Sequence, residues 1–342
     1  MRLVSLSMVA LALLLSLALQ SPFAFQAEFI SQVTTLDLEY PIRSVQFSSD
    51  GRLFIAATAF VVKIWDTESW EEVKLRTVEY PDYLISTVRF TPDGEQFAIA
   101  YNGSSSGIKL IDVSSGQQVD TPSLLREQEE FVDVLAFHPT GRFFVYGGDR
   151  GFLKSWDYLE RPREAVSIMQ VDPERVRTAT FSSKGTWLAT AGSDTVQMWA
   201  FNGDGGKILG PPRWIVPRGA TQIVFDEKDE RLFVKYMDNS IGLIDVDQGD
   251  TSLYITPQTD LDYEQLNHLH YWSPRHALLT AGIGGIVRLW GEGKLIAEHT
   301  MRGEREVDLD LRASAVSLDG TLFAAGYENG EITISRLSPD SF

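Results

Sequence analysis

"IRSVQFSSDGRLFIAATAFVVKIWD" (residues 42–66) decides the fold of this chain. An apolar run ends at Phe47, a Ser-Ser-Asp-Gly tetrad follows, and two further apolar runs lead to Trp65 and Asp66. An Asp-Gly pair between β-rich runs is typical of a hairpin turn. Because residues alternate between the two faces of a strand, the stretch predicts three antiparallel strands.

The stretch recurs six more times. The last apolar residue before each turn serves as an anchor, and successive anchors lie 43 to 47 residues apart: Phe47, Phe90, Phe137, Phe181, Phe225, Tyr271 and Val316. The turns read Ser-Ser-Asp-Gly, Thr-Pro-Asp-Gly, His-Pro-Thr-Gly, Ser-Ser-Lys-Gly, Asp-Glu-Lys-Asp, Trp-Ser-Pro-Arg and Ser-Leu-Asp-Gly. Residues between copies, such as "EEVKLRTV" at 71–78, supply a fourth strand. Four strands per period of this length predict the blades of a β-propeller.

The two ends of the repeat region complement each other. The last copy stops after its third strand in "EITISRLSPDSF" (331–342), whereas "EFISQVTTLDLE" (28–39) precedes the first copy as an extra strand. The N-terminal strand can therefore complete the last blade and remove an exposed sheet edge. The prediction is an all-β, seven-bladed β-propeller of four-stranded antiparallel blades over residues 28–342, with the ring closed by the N-terminal strand.

The copies "FSSDGRLF…VKIWD", "FTPDGEQF…IKLID" and "FHPTGRFF…LKSWD" resemble the WD-repeat family, and the resemblance covers essentially everything after residue 27. It implies the propeller fold but says little about function, because this fold hosts many unrelated roles. The chain resembles a divergent member of an exported bacterial type.

The chain departs from the eukaryotic members of the family. In those members a Gly-His dipeptide and an Asp are common, and the His and the Asp form a hydrogen-bonded network with a Ser or Thr and a Trp of the same blade. No Gly-His exists here, and the Asp position holds Ala59, Arg150, Gly284 and Asn329, with Asp238 the clear match. We expect an irregular propeller whose blades rely on apolar packing between their faces.

The N-terminal 27 residues have the layout of a signal peptide. Arg2 is followed by an uncharged run from Leu3 to Leu19, and we expect cleavage between Gln20 and Ala27. The alternative is an uncleaved anchor, because a run of 17 residues is at the short end of what spans a bilayer. The expected location is secreted or periplasmic, or, in the alternative, anchored to the outer face of the membrane.

Composition narrows the function classes. The chain has no cysteine, which excludes disulfides and thiolate metal sites and fits a bacterial exported protein better than a eukaryotic secreted one. The formal charge of −17 disfavours nucleic acid as a partner. Asn102 begins a glycosylation sequon, a triplet that also occurs by chance.

The histidines are the natural candidates for chemistry. His268 and His270 share one face of an inner strand at a spacing that two metal ligands could use, although zinc needs three or four ligands. The alternative, which we favour, is an ordinary buried pair. His138 and His299 are interpreted as structural, and His276 falls beyond the turn.

No catalytic motif accompanies them. Nucleophile-elbow, zinc-protease and phosphate-loop patterns are absent from the sequence. "GDGG" (203–206) is interpreted as a loop, and "DVDQGD" (245–250) lacks the glycine and glutamate of a calcium loop. No catalytic, cofactor-binding or metal-binding residue is assigned, and no cofactor is predicted.

Binding is then expected at one end of the propeller, the top, where the loops before the first strands and between the second and third strands meet. Aromatic and Arg side chains are enriched in binding hot spots. The candidate binding-surface residues are Tyr40, Arg43, Phe60, Tyr80, Tyr83, Phe131, Asp133, Arg177, Tyr263 and Arg312. The alternative is that the aromatic residues only fasten loops onto blades.

The leading functional prediction is a non-catalytic, exported, monomeric scaffold that binds a protein, peptide or other ligand through its top loops. One alternative is a propeller enzyme with a site in the central channel, either a metal-dependent hydrolase or lactonase or a quinone-dependent dehydrogenase. It would use His268, His270 and Asp133 as loosely placed candidates. A further alternative is a membrane-tethered assembly factor.

Overall fold

The computed structural model describes residues 29–73, 78–79, 83–103, 106–119, 126–127, 131–160, 165–255, 266–301 and 310–339. The predicted signal peptide, residues 1–27, lies outside these ranges. Within them, no helix is long and apolar enough to span a membrane.

The described residues form 28 strands and two short 3-10 turns, Ser273–Arg275 and Ile283–Gly285. The strands are β1 (Ile30–Asp37), β2 (Ser44–Phe47), β3 (Leu53–Ala57), β4 (Val61–Asp66), β5 (Val78–Glu79), β6 (Tyr83–Phe90), β7 (Gln96–Gly103), β8 (Ser106–Asp112), β9 (Arg126–Glu127), β10 (Val132–Phe137), β11 (Phe143–Gly148), β12 (Phe152–Asp157), β13 (Ser167–Gln170), β14 (Val176–Phe181), β15 (Trp187–Gly192), β16 (Val196–Asn202), β17 (Lys207–Val216), β18 (Ala220–Phe225), β19 (Arg231–Tyr236), β20 (Ile241–Asp245), β21 (Thr251–Ile255), β22 (Leu266–Trp272), β23 (Ala277–Gly282), β24 (Ile286–Gly291), β25 (Lys294–Thr300), β26 (Leu311–Val316), β27 (Leu322–Tyr327) and β28 (Glu331–Leu337).

These strands build seven four-stranded antiparallel sheets, so the predicted seven-bladed propeller is confirmed. Blades 1 to 6 each take four consecutive strands from β2 onward, and blade 7 combines β26, β27 and β28 with β1. The ring closure is confirmed as well, because β1 pairs with β28 from Ile30 opposite Leu337 to Asp37 opposite Glu331.

The fourth strands differ in length. In blade 1 the segment predicted at 71–78 contributes one isolated bridge between Trp65 and Glu72 and then the two-residue strand β5. Blade 4, in contrast, has a ten-residue outer strand, β17. Among the described residues, the outer strands therefore vary in length from blade to blade.

Each hairpin turn after an inner strand ends on a residue with positive φ. Five of these residues are glycines with φ between 69° and 74°: Gly51, Gly94, Gly141, Gly185 and Gly320. Asp229 and His276 take the same left-handed place in the two turns that lack glycine. In the sixth copy the turn is Ser273–His276, one residue later than predicted, because β22 continues to Trp272.

Apolar packing between blades forms the core. Buried apolar residues fall into seven clusters, one at each blade boundary. Between blades 7 and 1, for example, Phe54 and Trp65 pack with Ala313 and Ile332. Each blade is thus stabilised mainly by its neighbours, in keeping with the expected reliance on interfacial packing.

Polar contacts within blades supplement this packing, so the expectation of apolar packing alone is incomplete. The indole of Trp199 donates to the Thr190 hydroxyl at 3.1 Å, and Trp290 donates to Thr280 at 2.8 Å. Two blades therefore keep the Trp-to-Thr contact although the chain has no Gly-His dipeptide.

A buried carboxylate fastens the top loops of blade 4. Asp172 precedes the inner strand and is 3% exposed. One of its oxygens accepts from the amides of Glu174 and Arg175, and the other accepts from the amides of Asp194 and Thr195 and from the Thr195 hydroxyl. This carboxylate joins the loop before β14 to the turn after β15.

Candidate binding surface at the top of the central channel

Strand register defines the top end of the molecule. The start of each inner strand pairs with the end of the second strand, as Ser44 pairs with Ala57 in blade 1. Loops that enter the inner strands therefore lie beside the turns between the second and third strands. Those candidate residues predicted from the sequence that the structure describes belong to this end.

A ring of bulge residues surrounds the top of the channel. In blades 2 to 7 the register between the inner strand and the second strand shifts by one residue near the start of the inner strand. The residue left without a partner in the ladder is, in blade order, Ser86, Asp133, Arg177, Thr221, Asn267 and Arg312. Arg43 occupies the same place immediately before β2. We call these seven residues the bulge ring.

Four members of the bulge ring, namely Arg43, Asp133, Arg177 and Arg312, are among the candidates predicted from sequence, and the structure brings them to equivalent positions. Ser86, Thr221 and Asn267 were not predicted. A sequence signal for them exists, because each bulge residue stands four positions before its anchor. A bulge turns one side chain away from the ladder, which suits a binding position.

The charged members of the ring differ in their partners. Arg312 forms ion pairs with Asp310 at 3.6 Å and Glu328 at 2.9 Å. Asp133 accepts from Arg175, an ion pair between blades 3 and 4. Arg43 and Arg177 are exposed, and the described part of the chain supplies no ion-pair partner for either guanidinium.

Two predicted aromatic residues form an exposed pair at blade 1. The rings of Tyr40 and Phe60 lie 6.0 Å apart and nearly perpendicular. Tyr40 is 48% exposed and Phe60 is 36% exposed. This edge-to-face pair presents apolar area to solvent three residues before Arg43.

The remaining predicted aromatic residues divide into exposed and packed ones. Phe131 is 51% exposed, and its amide is held by the Asp149 carboxylate. The Tyr83 ring instead packs on Tyr101 at 4.8 Å, with the Lys109 ammonium 5.1 Å from its centre. For Tyr83 this favours the alternative of a residue that fastens a loop. Tyr80 and Tyr263 lie outside the described residues.

Side chains link neighbouring inner strands around the channel. The Asn267 amide donates to the Leu311 carbonyl at 2.9 Å, and the Leu269 amide donates to Gln222 at 2.7 Å. The Phe90 amide likewise donates to Gln46 at 2.8 Å. These contacts satisfy backbone groups on the free edges of inner strands, which would otherwise lack a ladder partner. The sequence offered no sign of them.

The histidine pair takes part in the same links. His268 Nδ1 lies 3.3 Å from the Gln222 amide nitrogen, and His270 Nε2 lies 2.7 Å from the Ser314 hydroxyl. Burial lowers the pKa of His268 to about 3, with a further contribution from the His270 and Lys235 charges. Burial lowers the pKa of His270 to about 4. Both rings are therefore neutral near pH 7.

No group of three or more His, Cys, Asp or Glu side chains in the described ranges is arranged to hold a metal ion. Asp133 is the third candidate for a channel enzyme. It lies in blade 3 and forms an ion pair with Arg175 of blade 4. The arrangement around His268 and His270 is a hydrogen-bonded contact between blades.

The inner strands carry a charge opposite to that of the whole chain. Together with Arg43, they contain the cations Arg89, Arg177 and Arg312 and a single acid, Asp133. The whole chain has 47 acids against 30 Lys and Arg residues. The inner strands and Arg43 thus carry a net positive charge in a strongly acidic protein.

Comparison with known proteins agrees with this architecture. The model of the WD domain, G-beta repeat, matches residues 31–66 and 167–200. Both segments end on the third strand of a blade, and five further blades repeat the same pattern. The chain belongs to the WD-repeat family.

Several WD-repeat relatives share part of the sequence. Human WD repeat-containing protein 3 is 29% identical over 149 residues, which are 43% of this chain and 15% of that protein. The beta isoform of the 55 kDa regulatory subunit of serine/threonine protein phosphatase 2A from Arabidopsis thaliana is 29% identical over 138 residues, 35% of this chain and 27% of that protein. Human apoptotic protease-activating factor 1 is 24% identical over 341 residues, 87% of this chain and 25% of that protein. The matches therefore span at most about a quarter of these relatives.

Solved structures show the same fold. A chain in the crystal structure of the mitotic checkpoint complex superposes with a TM-score of 0.73 at 14% identity and covers 90% of this WD-repeat chain and 96% of that chain. At this identity the likeness concerns the fold alone.

Proposed function

We propose that this WD-repeat protein is a non-catalytic, exported scaffold that binds a protein or peptide on its top end. The observation that carries the proposal is the exposed Tyr40–Phe60 pair, followed three residues after Tyr40 by the exposed Arg43, which has no ion-pair partner among the described residues. Exposed aromatic area next to a guanidinium is the composition of binding hot spots. Phe131 and Arg177 extend the same surface around the channel mouth.

The relatives support a role in protein assemblies. One is named as a regulatory subunit of a phosphatase, and the structural neighbour belongs to a multiprotein complex. A rigid ring whose loops vary between blades suits such a role, because the core holds the loops in place while their sequences set specificity. The partner is proposed to be a protein or peptide, bound by a monomeric propeller.

Export is proposed from the N-terminal sequence and the lack of cysteine. The intact mass of the protein isolated from its native source tests this proposal. A mature N-terminus between Gln20 and Ala27, together with recovery outside the cytoplasm, is the expected result. A chain that retains Met1 in the membrane fraction would instead support the anchored alternative.

Substitution of the aromatic pair tests the binding surface. We compare partner capture by the wild type, by Y40A/F60A and by L318A, which removes an exposed apolar side chain in a turn at the opposite end. Wild type and L318A are expected to recover the same partner, and Y40A/F60A to bind it at least about tenfold more weakly. Equal capture by all three proteins would reject this surface.

A further inference from the structure

Lys235 is a buried cation for which the described residues supply no carboxylate partner. It lies on β19 and is 7% exposed. Its ammonium donates to the Thr221 hydroxyl at 3.1 Å, which is the only hydrogen bond that the described residues provide for it. Asp238 is the nearby acid, but its oxygens are taken by Arg218 and Ser240. An ammonium has three donors, and buried charges are normally paired.

The surroundings of Lys235 are polar and belong to the top of the channel. Lys235 pairs directly with Gln222 across the ladder, so both side chains stand on one face of blade 5. Gln222 contacts His268 of blade 6, and Thr221 is a member of the bulge ring. Thr221 and His268 are partly exposed, so this boundary between blades 5 and 6 is open to the channel.

The charges around this location favour an anion. The only acid in the inner strands, Asp133, is already paired with Arg175. Arg177, the bulge residue of the adjacent blade 4, is exposed and has no ion-pair partner among the described residues. Burial lowers the pKa of Lys235, and the Asp238 charge offsets this effect only in part. A bound anion would supply the remaining compensation.

We propose that the top of the channel at the boundary of blades 5 and 6 binds a small oxyanion, a phosphate or carboxylate group, through the Lys235 ammonium. Thr221 orients the ammonium, and Arg177 attracts the anion at the channel mouth. A lysine ammonium acts as a point charge and suits either group. The Lys235 site is separate from the Tyr40–Phe60 pair, and it shares only Arg177 with the proposed partner surface.

Titration of the purified full-length protein with inorganic phosphate and with succinate, at constant ionic strength, tests the site. Melting temperature and calorimetric binding are measured for the wild type, for K235M and for K207M, whose lysine is exposed on an outer strand. Wild type and K207M are expected to gain stability in a saturable manner, because a ligand that binds only the folded state raises its stability. K235M is expected to bind at least about tenfold more weakly.

K235M is expected to fold, since methionine keeps the apolar stem and removes a buried charge. K235Q, which keeps a polar end, provides a second variant. A response to one anion but not the other identifies the group that the site prefers. The proposal is overturned if K235M and K235Q respond as the wild type does, or if neither anion stabilises the wild type. The partner-binding proposal is tested by capture with Y40A/F60A, and the anion site is tested by titration with K235M and K235Q. Each proposal can therefore fail without the other.

Discussion

His270 of blade 6 lies 2.7 Å from the hydroxyl of Ser314 in blade 7, with its ring neutral and half-buried between the two inner strands. The pKa of His270 is about 4 and that of its neighbour His268 about 3 in the folded protein. The unfolded chain binds these protons near pH 6.5. Because the unfolded state therefore binds more protons between pH 6.5 and about 4, stability is lost as the pH falls through this window.

The first prediction follows from that linkage. Urea unfolding of the wild type and of H268Q/H270Q from pH 7.5 to 4.5 should show a smaller loss of unfolding free energy in the variant. Carboxylates titrate in both proteins, so the difference between the two curves isolates the histidines. Parallel curves would show that the pair does not control acid sensitivity.

The second prediction concerns the Asp172 carboxylate. D172A leaves amides in two loops without their acceptor, and we expect a loss of about 2–4 kcal/mol in the free energy of unfolding. D172N keeps one acceptor oxygen and should fall between D172A and the wild type. Hydrogen exchange should rise at Asp194 and Thr195. An unchanged exchange rate in D172A would contradict the role assigned to this residue.

The third prediction concerns the contact between Trp199 and Thr190. T190V keeps the shape of the side chain but removes the acceptor of the indole N–H, and we expect a loss of about 1 kcal/mol. T190S retains the hydroxyl and serves as the matched control, with a smaller cost from the lost methyl group. Equal stability of T190V and the wild type in urea would argue against the contact.

The fourth prediction tests ring closure. Phe29 is fully buried next to β1 and packs in the cluster that joins blades 6 and 7. F29A should lower the free energy of unfolding by about 3–5 kcal/mol. V33A changes an exposed residue of the same strand and should cost no more than about 0.5 kcal/mol. Similar losses in both variants would argue against a buried closing strand.

Local repetition explains which features were predictable. The anchors, the glycine turns and the closing strand depend on residue spacing along the chain, and the structure confirms them. The turn of the sixth copy was misplaced by one residue because Pro274 and His276 replace the usual glycine pattern. The bulge ring was predicted only in part, although its four-residue spacing from the anchors is constant.

The candidate surface was less predictable, because exposure depends on residues from other strands. Tyr83 and Phe131 look alike as aromatic residues before an inner strand. Tyr101 and Lys109 cover Tyr83, whereas Phe131 faces solvent. No pattern within either loop distinguishes the two.

The sequence by itself determined the number of blades, their strand order and the way the ring closes, because strand alternation, turn chemistry and repeat length are local properties. Only the tertiary structure decided that Gln222 contacts Leu269 and His268, and that Lys235 is buried beside Thr221 with no carboxylate partner in the described part of the chain. Such contacts join side chains on adjacent strands or across blade boundaries. They arise when seven sheets are packed around one axis, which brings together residues that no local pattern relates.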